Sequence, residues 1–239
     1  VSETFRADLE VAHFGPSSLK KAAPVWKLID QDGEAVASGR LNARTIPIGN
    51  GIPLGKVEIS LENLAPARKY TLVVGLDETP YENDWDIWVF PDHAETTLPE
   101  GVMLAERLDE AALRCLKSGG KVLLMPPPVC VKSPAAIGFS SIFWNTAWTR
   151  GQAPHTLGIL CDPNHPALAR FPTEYHSNWQ WWELIHGSSA MLLDTMPPQL
   201  RPIIQPIDTW FENRRLALLF ETRVLGGKLM VCSMDLERK

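Results

Sequence analysis

Asn83-Asp84-Trp85-Asp86-Ile87-Trp88-Val89-Phe90-Pro91 is where the chain changes its grammar. Up to Pro91, short runs of alternating apolar and polar residues are separated by turns rich in Gly, Pro and Asp. Beyond it, Asp109–Lys117 reads as a helix with Ala112, Leu113, Cys115 and Leu116 on one side. That helix leads through Gly119 into the solid apolar run Val122–Met125. A strand-only pattern followed by a mixed one predicts two modules, a β-sandwich over 1–94 and an α/β module over 95–239.

Working upstream, Trp85–Phe90 is the last strand of the first module. Tyr70, Leu72, Val74 and Leu76 alternate before it, as do Val57, Ile59 and Leu61, and Phe5, Ala7, Leu9 and Val11. A period of two marks strands with one buried and one wet face. Pro24–Asp30 and Ala35–Leu41 flank Asp30-Gln31-Asp32-Gly33, a turn sequence, and read as a hairpin. About six short strands at such spacing predict an antiparallel sandwich, immunoglobulin-like in shape but without a Cys…Trp…Cys signature. Trp85 and Trp88 are three apart in a strand, so they face opposite sides and form no single platform.

Downstream, Val102–Ala105, the Asp109–Lys117 helix and Val122–Met125 make a compact strand–helix–strand unit with an expected parallel pair. Acids open the helix, Lys117 closes it, and Gly119 stands where a helix C-terminus wants it. Ser118-Gly119-Gly120-Lys121 is no phosphate loop, because the glycines follow a helix and precede a strand. Gly226-Gly227 reads as a hairpin turn between Leu216–Val224 and Leu229–Met234, with Val224 opposite Leu229. Thr156–Leu160 and Met191–Leu193 are expected strands, His165–Phe171 a short helix, and Ser177–Ile185 a helix carrying Trp179, Trp181 and Trp182. Trp179 and Trp182 would share a face, with Trp181 pointing elsewhere.

The 239 residues suffice for two ordinary cores, and 45% apolar with 21% charged content is that of a globular protein. A net charge of −5 gives no reason to expect nucleic acid or an anionic membrane as partner. No apolar stretch reaches the about 20 residues that cross a bilayer. The start at Val1, without methionine, suggests a processed or excised piece.

Chemistry-bearing residues crowd 139–187, yet no complete catalytic set emerges. His155, His165 and His176 are too far apart in sequence for a metal-ligand motif, so neither a metal nor a cofactor is expected. An amidase triad can be drawn from Cys130 or Cys161 with His155 or His176 and Glu174. Its cysteines lack the strand-to-helix elbow such nucleophiles occupy. Cys115, Cys161 and Cys232 read as core packing.

Against this background, several long strings resemble the C-terminal part of family 2 glycoside hydrolases of the β-galactosidase-like, Bacteroidota type. In the first module these are Val25-Trp26-Lys27-Leu28, Asp32-Gly33, Gly39 and Asn83–Pro91. In the second they are His155–Asp162, His165-Pro166-Ala167-Leu168, Phe171-Pro172-Thr173, His176–Trp182, Asn213–Leu216 and Gly227–Ser233. The resemblance covers nearly all of the chain. It implies an immunoglobulin-like sandwich followed by a degenerate glutamine-amidotransferase-like, flavodoxin-like three-layer domain that has lost its own chemistry. It also implies an exported parent, periplasmic or at the cell surface, and a further C-terminal helix that would follow Lys239.

In such enzymes two glutamates of a preceding (β/α)8 barrel perform retaining hydrolysis of an O-glycosyl bond. A barrel needs about 250 residues by itself, so no catalytic residue is assigned to this chain. The first expectation is therefore a non-catalytic accessory region, partnered by the catalytic barrel of its own polypeptide and by a possible second copy. It would buttress the barrel, form an interface or shape the substrate entrance. The alternative is a carbohydrate-binding module using Trp144, Trp148, Trp179, Trp182 and His176. A third expectation is an autonomous cysteine-dependent amidase or esterase.

Overall fold

The computed structural model describes residues 3–93, 96–132, 137–138 and 156–236. The chain divides into two compact units: Val1–Glu95 with Arg170–Pro172, and Thr96–Ala169 with Thr173–Lys239.

The first unit is built from strands. β1 (Thr4–His13) pairs antiparallel with β6 (Gly49–Ser60), from Thr4 opposite Ser60 to His13 opposite Gly49. A four-stranded antiparallel sheet runs β4 (Ala35–Arg40), β3 (Pro24–Ile29), β7 (Arg68–Leu76), β8 (Glu82–Val89). A short pair, β2 (Leu19–Ala22) and β5 (Arg44–Ile46), completes it. Every second residue of β7, from Tyr70 to Leu76, is buried. These residues join Leu28 of β3, Leu9 of β1, and Val57 and Ile59 of β6 in one core. The alternation thus packs two β-layers face to face, as a sandwich requires. Trp85 lies opposite Leu72 and Trp88 opposite Lys69, so the two indoles do occupy opposite faces of β8. The β3–β4 turn forms as read, with the Asp30 carboxylate accepting from the amides of Asp32 and Glu34.

The second unit centres on a six-stranded mixed sheet. β9 (Val102–Ala105), α1 (Glu110–Lys117) and β10 (Lys121–Leu124) form the expected strand–helix–strand unit, with β9 and β10 parallel. β16 (Gly227–Cys232) lies parallel on the other side of β10. From there the sheet continues antiparallel through β15 (Leu219–Val224), β13 (Pro202–Ile207) and β11 (Gly158–Cys161). Two further strands, β12 (Met191–Leu192) and β14 (Leu216–Ala217), pair separately. Asp109 caps α1 by accepting from the amide of Ala112 at 2.9 Å, and Arg114 and Lys117 occupy its last turn. Ala112 and Leu116 then bury against Val122, Leu124, Leu229 and Val231 of the sheet.

Four sequence expectations require correction. Leu216–Val224 is two strands, because Ala217 pairs with Met191 while Leu219 pairs with Cys232. Val224 lies opposite Gly227 rather than Leu229, so the hairpin turn is Leu225-Gly226, both with positive φ (55° and 93°). Gly227 serves a different purpose: a Cβ there would stand 2.6 Å from the Gly120 carbonyl oxygen and 2.8 Å from the Leu116 Cα. Its missing side chain lets β16 reach the end of α1, where the Lys228 amide donates to Gly120 at 3.0 Å. Finally, the helix expected over Ser177–Ile185 is confined to α2 (Trp181–Ile185), and the one over His165–Phe171 to a 3-10 turn at Pro166–Leu168.

Candidate functional site

The segment before α2 is shaped by β11. The Cys161 amide donates to the Tyr175 carbonyl at 2.9 Å, and the Ser177 amide to the Ile159 carbonyl at 3.1 Å. His176 makes an isolated antiparallel bridge with Leu160. Residues 175–177 therefore lie extended along the sheet edge, with the Tyr175 carbonyl and the Ser177 amide both engaged by β11. The chain then turns through Asn178–Gln180 into α2, with the Trp181 amide donating to Asn178 at 3.2 Å and that of Trp182 to Trp179 at 3.1 Å.

Three nearby indoles take different places. Trp181 is 1% exposed, and its Nε1 donates to the Thr173 Oγ1 at 2.9 Å. It anchors the turn in the core. Trp179 is 81% exposed and Trp182 41%, with ring centroids 6.5 Å apart and planes inclined by 55°. On its other flank Trp182 packs on the His186 ring at 4.4 Å. Together with Leu157, Ser177 and Asn178, the two indoles line an open depression of about 360 Å³. The Asn178 side chain is held from beneath, its Nδ2 donating to the Glu174 carboxylate at 2.6 Å. The Ser177 Oγ accepts from the Ile159 amide at 3.4 Å. Aromatic walls with a hydroxyl and an amide beside them form a surface that receives a ligand with both apolar and hydroxylated faces.

Of the five residues the sequence offers for sugar contact, Trp179 and Trp182 come together here. His176 is exposed one residue before the depression, its ring edge-on to Tyr175 at 5.1 Å, and is not among the residues lining it. Trp144 and Trp148 lie outside the described residues, as does His155. The sequence does not single out Leu157, Ser177, Asn178 or His186 for sugar contact. The signal for the last was its position four residues after Trp182, one helical turn away.

Two of the cysteines, Cys161 and Cys232, are buried. Burial raises the Cys161 thiol above its ordinary value, and the nearby carboxylates of Asp162 and Glu174 push the same way against a hydrogen bond from Thr173. Its Sγ donates to the Glu174 carbonyl at 3.0 Å. Burial likewise raises Cys232. A nucleophilic cysteine needs the opposite, a stabilised thiolate. Cys130 is exposed at the end of a 3-10 turn, Pro128–Cys130. Among the described residues, no three or more His, Cys, Asp or Glu side chains converge to hold a metal ion.

Residues 103–239 match the model of a family described as domain of unknown function DUF8487. The chain belongs to the DUF8487 family. Residues 3–91, ahead of the DUF8487 region, match a second model, domain of unknown function DUF8488. No curated protein matches the chain. Among solved structures, a β-glucuronidase of Parabacteroides merdae is similar at 17% identity and a TM-score of 0.27. The match covers 51% of the DUF8487 chain and 19% of the β-glucuronidase chain. The chain thus spans about a fifth of that enzyme's length.

Proposed function

We propose that this chain is a non-catalytic accessory region of a glycoside hydrolase and that its second unit contacts carbohydrate through Trp179 and Trp182. The observation that carries the carbohydrate reading is the exposure of these two indoles over an open depression, while Trp181 between them is buried as an anchor. Large apolar rings are costly to leave in water, and here the fold commits one tryptophan to presenting the others. A sugar ring offers a C–H face to such an indole and hydroxyls to groups such as Ser177 and Asn178.

The glycoside-hydrolase context rests on the motif strings shared with β-galactosidase-like family 2 enzymes. In this reading the second unit is a degenerate amidotransferase-like domain. Its α/β character is supported by the parallel β9–α1–β10 unit and β16. Hydrolysis belongs to a barrel elsewhere in the parent polypeptide. The accessory region holds glycan near that barrel, at the substrate entrance, rather than serving only as a buttress or interface.

The test is a glycan array followed by calorimetry on the 239-residue chain, using galactose-, glucuronate- and mannose-containing oligosaccharides. One small aromatic surface predicts dissociation constants of about 1 mM, or about 4 kcal/mol. Binding is expected to vanish in Trp179→Ala and Trp182→Ala with thermal unfolding unchanged. A folded sample that takes up no glycan overturns the carbohydrate reading and leaves the purely structural role.

A further inference from the structure

The loop after β13 carries a second aromatic pair on a rigid base. Trp210 and Phe211 are 59% and 60% exposed, their rings edge-to-face at 5.4 Å. Two large exposed aromatics on a free loop would be expected to collapse onto the sheet. This loop is fixed at both ends. The Asp208 carboxylate accepts from the Arg214 amide at 2.8 Å, from its Nε at 2.7 Å and from its Nη2 at 3.0 Å. The Asn213 amide also donates to the Thr209 carbonyl at 2.8 Å, closing the loop a second time. The Asp208 side chain is 1% exposed and that of Arg214 17%, so this forked ion pair is formed out of water. Such a pair brings little net stability over apolar packing, but it fixes geometry.

The loop also emerges beside the first aromatic surface. Gly158 of β11 lies opposite Ile207 of β13, and the Leu157 amide donates to the Ile207 carbonyl at 2.8 Å. Leu157 lines the Trp179–Trp182 depression. Trp210 is three residues beyond Ile207, so its Cα stands within about 11 Å of the Ile207 Cα. Both aromatic pairs therefore belong to one end of the β11–β13 pair.

From this placement we propose that the ligand is an oligosaccharide that reaches from the Trp179–Trp182 depression to a second station formed by Trp210 and Phe211. The proposal rests on the carbohydrate reading above and adds the length of the ligand and the residues that read it. The first station takes one or two sugar units, and the second adds affinity only when the glycan is long enough to arrive there.

Calorimetry with a graded series, from disaccharide to hexasaccharide, of galactose-, glucuronate- and mannose-containing glycans tests it on the whole chain. Affinity is expected to rise at least about tenfold along the series that binds, the gain of one further aromatic contact. In a Trp210→Ala/Phe211→Ala variant that gain disappears, while disaccharide affinity stays as in the parent chain. Trp179→Ala loses binding at every length. Affinity independent of length, or hexasaccharide binding unchanged in the double variant, overturns the second station and leaves the first standing. A double variant that instead changes the oligomeric state, by sedimentation, with glycan binding intact makes the loop a protein interface and also overturns it. Absence of binding at every length in the parent chain is the separate failure of the carbohydrate reading.

Discussion

The Arg6–Glu58 and Lys56–Asp8 pairs of the first unit stand in water, whereas the Asp208–Arg214 pair of the second is shut away from it. Arg6 with Glu58 and Lys56 with Asp8 join neighbouring strands across β1 and β6, with side chains 61–74% exposed. They decorate a register that the apolar alternation already sets. Asp208 and Arg214 join the ends of a loop that no alternation could place, with the Asp208 side chain only 1% exposed. Where periodic burial fixes the backbone, polar side chains are spectators. Where it does not, a buried polar clamp takes over, and it is there that Trp210 and Phe211 are displayed.

The sharpest way to break this contrast is Asp208→Ala, which takes the forked carboxylate away from the largely buried Arg214 guanidinium. It should cost about 3–5 kcal/mol in urea unfolding. A cost below about 1 kcal/mol would mean that the clamp is as dispensable as the surface pairs. Leu28→Ala tests the other side. Leu28 is fully buried in the sandwich core, and its truncation should cost about 3 kcal/mol, within the usual 2–5. At the small end, Arg6→Ala should cost no more than about 1 kcal/mol, because its pair with Glu58 is exposed at 68% and 61%.

Acid sharpens the comparison further. Burial alone would raise the Asp208 carboxyl, but the Arg214 side chain and amide, the Thr209 amide and the guanidinium charge outweigh it and hold it below its usual value. A carboxyl depressed in the folded state contributes stability that is fully present above its unfolded pKa. That contribution is lost as the pH falls through the folded value. The stability advantage of the parent chain over Asp208→Asn should therefore be constant near neutrality and shrink below about pH 4. An advantage that persisted unchanged into strong acid would contradict the ion-pair account.

This contrast also explains what could be read in the sequence. Tyr70, Leu72, Val74 and Leu76 announce β7 because a half-buried strand must alternate. The β9–α1–β10 unit is legible for a similar reason, since Asp109, Lys117 and Gly119 mark both ends of its helix. The overlong helix over 177–185 fails because residues 175–177 are held extended by their bridge to Ile159–Cys161, partners in sequence-distant β11 that no local pattern reveals. The hairpin register fails because Gly-Gly suits a turn as well as Leu225-Gly226 does. The close approach that requires Gly227 against α1 is tertiary. Trp179 and Trp182 are legible as a pair, and the carbohydrate-binding alternative expects them exposed, although helical spacing alone does not say which face meets water. Asp208 and Arg214 flank Trp210-Phe211 without any periodic mark, and only the folded loop shows them joined.

The most direct test of the central claim follows the tryptophan indole N–H resonances by two-dimensional NMR while the oligosaccharide that binds most tightly is added. The account predicts that the Trp179 and Trp182 signals shift progressively and saturate, each assigned by its absence from the corresponding Ala variant. Trp181, buried and bonded to Thr173, should stay in place as the internal control. Shifts confined to other indoles, or no shift at saturating glycan, would contradict the claim that this pair forms the carbohydrate-contacting surface.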